Sequence, residues 1–313
     1  MQYELIIIGG GPAGVSAGVY AARKRIKTLL ITYSFESQSV VSEKIENWIG
    51  TIAISGSDFA KSMEAHLRAY AGESVTVNTG DKIKTLKKIS SESGESGFEV
   101  ETEKGEKYTT KTVLIASGSV RRKLEAKGAD IYEHKGLTYC ATCDGPLYDG
   151  QDVLVIGGGN AAFETTAQLA AYCKSVTIIN RGDTFRADPV TVEKVLAKPN
   201  VKAIKNATSL EVKGDKFVSG FVYRDETTGE THELPVTGIF VEIGLTANTE
   251  YAQGVVELSP TGQVVVDPRT QQSSTPGIWA AGDCTDGLYH QNNIAAGDAV
   301  KALEDIYSFL HTK

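Results

Sequence analysis

The sequence predicts an α/β protein of two Rossmann-like dinucleotide-binding domains, the second inserted in the first, with antiparallel hairpins beside each. Three observations lead there. Near the N-terminus an apolar strand, Leu5–Ile8, runs directly into Gly9-Gly10-Gly11-Pro12-Ala13-Gly14. The same plan returns about 150 residues later as Val153–Ile156 followed by Gly157-Gly158-Gly159-Asn160-Ala161-Ala162. At 313 residues the chain exceeds one ordinary core and suits two domains.

In the first unit an alanine-rich helix is expected to about Arg23, then a strand at Thr28–Ile31, the length a parallel strand pair needs. In the second unit the helix should reach about Tyr172 and the strand should cover Val176–Ile179. Between the repeats, Lys82–Ile89, Phe98–Glu101 and Lys107–Thr109 read as short antiparallel strands, with the polar run 91–97 as a loop. The stretch Ser209–Val241 repeats that hairpin texture. Strands follow at Val264–Val266 and Ile278–Ala280, and Ile294–Leu310 carries apolar residues at helical spacing. The expected domains are 1–116 with 245–313, and 117–244.

Composition narrows the function. The chain is 41% hydrophobic and 23% charged, as globular proteins are, and its charge of −7 argues against nucleic acid. No apolar run suffices for a bilayer, so no membrane is expected. A strand beginning at Tyr3 predicts no signal peptide, and four cysteines do not make a secreted disulfide framework. A cytoplasmic setting is expected.

The motifs point to electron transfer. Gly9 permits a tight bend, Gly11 lets backbone approach a pyrophosphate and Gly14 lets helix pack on strand, while the helix N-terminus attracts phosphate. The strand after it ends at Thr32, where an acid would hold a ribose. Cys140 and Cys143 are two residues apart, a spacing that closes and opens a disulfide. A zinc site would need a second ligand pair, and Cys173 and Cys284 are isolated. Cys173 falls on a helix's apolar stripe and reads as core. Asp144 fits either proton exchange with the dithiol or plain turn chemistry, since Asp-Gly-Pro favours turns. Arg181 and Arg186 follow the second-unit strand, where cations suit the 2′-phosphate of NADPH and an acid would suit NADH; surface arginines without function are also common.

These pieces together resemble the low-molecular-weight thioredoxin reductases over essentially the whole chain. The matches are Gly9 to Gly14, Glu46-Asn47-Trp48, Cys140-Ala-Thr-Cys143-Asp144-Gly145, Gly157 to Glu164, Phe185-Arg186-Ala187 and Ala280-Ala281-Gly282-Asp283. The stretches 139–150 and 238–249 look equally like the reductase portion of alkyl hydroperoxide reductase flavoproteins, whose extra N-terminal dithiol domain has no counterpart in these residues. The resemblance implies FAD held by Gly9, Gly11, Pro12, Ala13, Gly14, Glu36, Ser37, Gln38, Asn47, Gly282, Asp283, His290, Gln291 and Asn292. It implies NADPH, with NADH possible, at Gly157, Gly159, Asn160, Ala161, Arg181 and Arg186. Cys143 becomes the flavin-side thiol, Cys140 the partner-side thiol and Asp144 the acid; no metal is implied. The implied partner is thioredoxin or a thioredoxin-like disulfide, and the implied assembly a homodimer.

The sequence departs from the family at Glu36-Ser37-Gln38, at His290-Gln291-Asn292 and at Gly182, where one of three phosphate-binding arginines is lost. Two other readings therefore stand beside the NADPH-linked reductase. One is a ferredoxin-linked reductase or dithiol oxidase on the same scaffold, and the other a non-catalytic flavin redox sensor. Because dithiol and nicotinamide share a domain yet address one flavin, rotation near 116–119 and 244 is also expected.

Overall fold

The computed structural model describes residues 2–41, 45–90, 96–139 and 141–312. Strand β1 (Tyr3–Ile8) is buried from Leu5 onward, as a strand covered on both faces must be. Its Leu5 and Ile7 enter one core and Ile6 and Ile8 another, the alternation that a strand imposes. Helix α1 (Pro12–Arg23) follows, then β2 (Thr28–Thr32), a 3-10 turn at Gln38–Val41 and α2 (Gly56–Ala71). Then come β3 (Val75–Thr79), β4 (Ile83–Ser90), β5 (Ser96–Thr102), β6 (Lys107–Ile115) and β7 (Ser119–Arg121).

The second unit holds β8 (Leu137–Thr138), the one-turn helix α3 (Ala141–Asp144), a 3-10 turn at Gly145–Tyr148, β9 (Asp152–Ile156), α4 (Asn160–Leu169) and β10 (Ser175–Ile179). After α5 (Pro189–Leu196) and β11 (Val201–Ile204) come β12 (Ala207–Gly214), β13 (Val218–Asp225), β14 (Thr231–Leu234), β15 (Gly238–Val241) and β16 (Leu245–Ala247). The chain closes with β17 (Ile278–Ala280) and α6 (Asn292–Thr312). Two compact units result, Met1–Val120 with Thr246–Lys313, and Arg121–Leu245. The exchange points fall inside β7 and β16, which pair as a two-stranded sheet.

The first unit is a seven-stranded sheet in the order β3-β2-β1-β6-β5-β4, with β17 also on β6. β6 pairs antiparallel with β5 through Lys107–Thr110 and parallel with β17 through Val113–Ile115. One strand thus joins the hairpin to the central parallel layer. Small residues let α1 and α6 share a core: Ala13, Ala17 and Ala21 cluster with Ala295, Ala299, Ala302, Leu303 and Ile306. The second unit has a parallel sheet in the order β11-β10-β9-β15-β8 and a separate antiparallel sheet β12-β13-β14. Leu154 and Ile156 of β9 face one core, Val153 and Val155 the other.

Several expectations are corrected. The strand expected at Lys107–Thr109 runs to Ile115, because its buried half belongs to the parallel layer. Within Ser209–Val241, Gly238–Val241 is a parallel strand beside β9, not part of a hairpin. Helix α4 ends at Leu169, so Cys173 lies in the following turn; it is nevertheless core, 4% exposed. Val264–Val266 makes only isolated bridges. Residues 91–95 of the expected polar loop lie outside the described residues, and Ser96 and Gly97 belong to β5.

Phe163 of α4 is fully buried and meets Phe185 edge to face at 4.9 Å. Phe163→Ala should destabilise the second unit by about 3–5 kcal/mol, read as a lower urea midpoint. A loss below about 1 kcal/mol would mean that this core is not packed as described.

Candidate functional site

In the first unit the three glycines of the turn have two different reasons. A Cβ at Gly9 (φ +118°) would lie 2.2 Å from the Ala116 carbonyl oxygen, and one at Gly14 1.9 Å from the Gly9 oxygen. Both contacts are with backbone, so neither glycine can be replaced without moving the turn. Gly11 is different: its φ is −75° and a Cβ there would meet nothing closer than Ser37 Cβ at 3.7 Å. Packing does not demand glycine at 11, and a bare backbone at this turn is what close approach of a pyrophosphate requires. Gly11 caps α1 with no side-chain hydrogen bond, which leaves a helix N-terminus of the kind that suits an anion.

That turn opens onto a cleft of about 900 Å³ lined by Gly9 to Ala13, Glu36, Ser37, Gln38, Gly282, Asp283 and Asn292. Gly14 lies behind it in the core. Gln38 Nε2 donates to Ser119 Oγ (3.0 Å), and Ser39 Oγ donates to Asn292 Oδ1 (2.9 Å). Asn47, His290 and Gln291 do not line the cleft. Asn47 Nδ2 donates to Gln291 Oε1 (3.0 Å), and His290 Nδ1 sits 3.5 Å from Asp283 Oδ1. The Asp283 carboxylate raises the His290 pKa, with burial opposing. Gly282 (φ +79°) carries Asp283 past α1 and α6, where a Cβ would come within 3.1 Å of Ala295 Cβ.

The cleft also holds residues that the sequence did not single out. Tyr251 Oη donates to Ser117 Oγ (3.0 Å), which donates to the Asn248 carbonyl (2.6 Å). Burial pushes the Tyr251 phenol far above its usual value, so it remains a donor. At another part of the rim, Asp81 is 3% exposed and accepts from the Lys82 (2.8 Å) and Lys104 (3.4 Å) amides. Burial opposes its charge, but hydrogen bonds from Thr102 and those two amides hold its pKa below the usual value.

The second unit repeats the glycine pattern. A Cβ at Gly157 (φ +150°) would fall 2.2 Å from the Glu242 carbonyl oxygen, whereas one at Gly159 would meet nothing within 4 Å. Gly159 caps α4 with no side-chain bond. Asn160 and Ala161 are exposed on the first turn, and Asn160 Oδ1 accepts from the Asp188 amide (2.8 Å). At the end of β10 the Asn180 side-chain Nδ2 donates to the Gly182 (3.0 Å) and Thr184 (2.8 Å) carbonyls, fixing the loop that carries Arg181 and Arg186. Both arginines are exposed, and the Arg186 amide donates to Gly158 O (2.7 Å). Lys205 Nζ stands 5.0 Å over the Phe185 ring, adding a cation that the sequence did not flag. The Glu242 side chain accepts from Thr165 (3.0 Å) and faces Arg121 (3.7 Å); burial raises its pKa.

The dithiol loop is partly visible. Cys140 lies outside the described residues, and of Cys143 only the backbone is described, in α3. Asp144 ends that helix, is half-buried and accepts from Thr138 Oγ1. Gly145 follows because Tyr172 Oη would lie 2.2 Å from a Cβ there. Burial pushes the thiols of Cys173 and Cys284 up to about 11, so neither is a thiolate at neutral pH. Among the described residues no group of three or more His, Cys, Asp or Glu could hold a metal, and no helix is long and apolar enough to cross a membrane.

Comparison with known proteins agrees with this geometry. Residues 3–299 match the pyridine nucleotide-disulphide oxidoreductase family. The chain is 40% identical over 301 residues to an alkyl hydroperoxide reductase component of Pseudomonas aeruginosa, covering 96% of this chain and 57% of that protein. It is 37% identical over 308 residues to a NADH dehydrogenase of Bacillus subtilis, covering 98% and 58%. It thus spans under three-fifths of the length of these curated relatives. Among solved structures, thioredoxin reductase from Giardia duodenalis superposes with a TM-score of 0.79 at 30% identity, covering 98% of each chain. That from Lactococcus lactis gives 0.75 at 32%, covering 99% of each.

The turn and its rim can each be tested. Gly11→Ala should leave the melting temperature nearly unchanged but reduce flavin content, whereas Gly9→Ala should lower both. Equal melting temperatures for the two variants would contradict the packing argument. For His290, a raised folded-state pKa means stabilisation that is complete below pH 6.5 and lost as pH rises through the raised value. Urea unfolding from about pH 5.5 to about 8.5 should show the difference between parent and His290→Gln shrinking with pH; a flat difference would reject the protonated pair.

Proposed function

This chain belongs to the pyridine nucleotide-disulphide oxidoreductase family, which uses FAD with NAD(P)H, and we propose that it is a flavin-dependent reductase of protein disulfides. It would take NADPH as donor and reduce a thioredoxin-like partner through the Cys140/Cys143 dithiol. One observation carries this reading: two glycine turns whose Gly11 and Gly159 have no packing purpose accompany a Cys-x-x-Cys-Asp-Gly motif. The glycine cradles fit two dinucleotides, and the motif fits a two-electron acceptor.

Bound FAD supplies hydride acceptance and delivery of the electron pair. The chain's own residues do the rest. The N-terminal amides of α1 would hold the pyrophosphate, and Asp283, which lines the same cleft, would hold the ribityl chain. Cys143 would be the flavin-side thiol, and Cys140 would attack the partner disulfide, forming a mixed disulfide and expelling one partner thiolate. Cys143 then attacks Cys140 sulfur, closing the internal disulfide and releasing the second partner thiolate. Asp144 moves the protons that those thiolates require. The setting is the cytoplasm, where such dithiols cycle, and the working form a homodimer.

Arg181 and Arg186 favour NADPH through charge-assisted bonds to its 2′-phosphate. The similarity to a protein named NADH dehydrogenase favours NADH as the second reading. Arg186→Ala should lower kcat/KM for NADPH about 10- to 150-fold and leave NADH nearly unaffected. Equal losses for both would reject the phosphate site. For the dithiol, Cys143→Ser should abolish reduction of a thioredoxin disulfide while the nicotinamide nucleotide still bleaches the flavin. Retained disulfide turnover would remove Cys143 from the electron path. Bleaching by reduced ferredoxin alone would favour the ferredoxin-linked alternative.

A further inference from the structure

We propose that Tyr33 is a positioning residue for FAD, stacking its ring on the adenine at the rim of the first-unit cleft. The proposal rests on the flavoprotein reading above and goes beyond it by assigning a residue to the adenine end. The sheet order puts the C-terminal end of β2 on one side of the Gly9 turn and that of β17, with Asp283, on the other. In a Rossmann unit the adenosine half of a dinucleotide lies over the end of the second strand. The acid that usually grips its ribose there is missing: Thr32 is buried and its Oγ1 donates to the Ser34 carbonyl (2.6 Å).

What stands at that end instead is an aromatic ring. Tyr33 lines the cleft and is 64% exposed, so core packing does not account for it. Its backbone is nevertheless fixed, because the Gly80 amide donates to both the Thr32 (3.0 Å) and Tyr33 (2.9 Å) carbonyls. Lys82, also a cleft residue, holds its Nζ 5.1 Å from the ring centroid, and its amide is tied to buried Asp81 (2.8 Å). The ring is therefore mounted on a rigid strand end, with a cation over one face. A purine offers it a π-face, and stacking needs neither the missing acid nor a base-specific hydrogen bond.

The test separates adenine from the rest of the cofactor by comparing FAD with FMN, which has the flavin and one phosphate but no adenine. Dissociation constants for both are read from flavin fluorescence on the apoprotein, for the parent, Tyr33→Ala and Tyr33→Phe. Tyr33→Ala should weaken FAD about tenfold and leave FMN unchanged, and Tyr33→Phe should bind FAD as the parent does. Unaltered FAD binding in Tyr33→Ala, or an equal loss for FMN, would overturn the stacking role. A parent protein that binds neither flavin would instead overturn the flavoprotein reading itself.

Discussion

The carbonyl oxygens of Ala116 in one unit and Glu242 in the other each sit 2.2 Å from where a Cβ on Gly9 or Gly157 would be. That approach brings the end of one parallel strand against the turn leaving its neighbour. Each turn then lies at the carboxyl edge of its sheet with a helix N-terminus beside it. A side chain at either glycine would force the strand ends apart, and with them the first-turn amides that an anion needs. The geometry of both candidate sites follows from this constraint; the sheets and cores are arranged around it.

The surrounding packing keeps the approach rigid. In the first unit β1 is buried on both faces between two cores, and small residues on α1 and α6 let helices close over one of them. β17 returns beside β6 and delivers Gly282 and Asp283 to the cleft. In the second unit β15 does the equivalent service, pairing with β9 and bringing the next residue, Glu242, against Gly157. Two chain segments remote in sequence thus complete each site.

Local signals were readable and non-local ones were not. β1, α1, β9 and the glycine turns announce themselves because the apolar runs and the glycines lie within a few residues of one another. β15 is a four-residue apolar strand like any hairpin strand, and only its partner makes it parallel. α2 went unseen although Ser55 caps it and Phe59, Met63 and Leu67 fall on one stripe; its polar composition masked the period. The cleft residues Tyr33, Ser117, Asn248 and Tyr251 could not be found by motif, because separate chain segments bring them together. Asn47 and Gln291 are legible as polar residues, but their hydrogen bond to each other beside the cleft is a tertiary fact.

Both high-pKa thiols are buried, which leaves Cys140 and Cys143 as the chain's candidates for thiolate chemistry. The central claim is that a flavin and this dithiol form one electron path. Anaerobic titration of the flavin-loaded protein with a stoichiometric reductant tests it most directly. The account predicts uptake of two electron pairs per chain, one by the disulfide and one by the flavin, and a single pair when Cys140 and Cys143 are both serine. Uptake of a single pair by the parent protein, with full bleaching of the flavin, would contradict it.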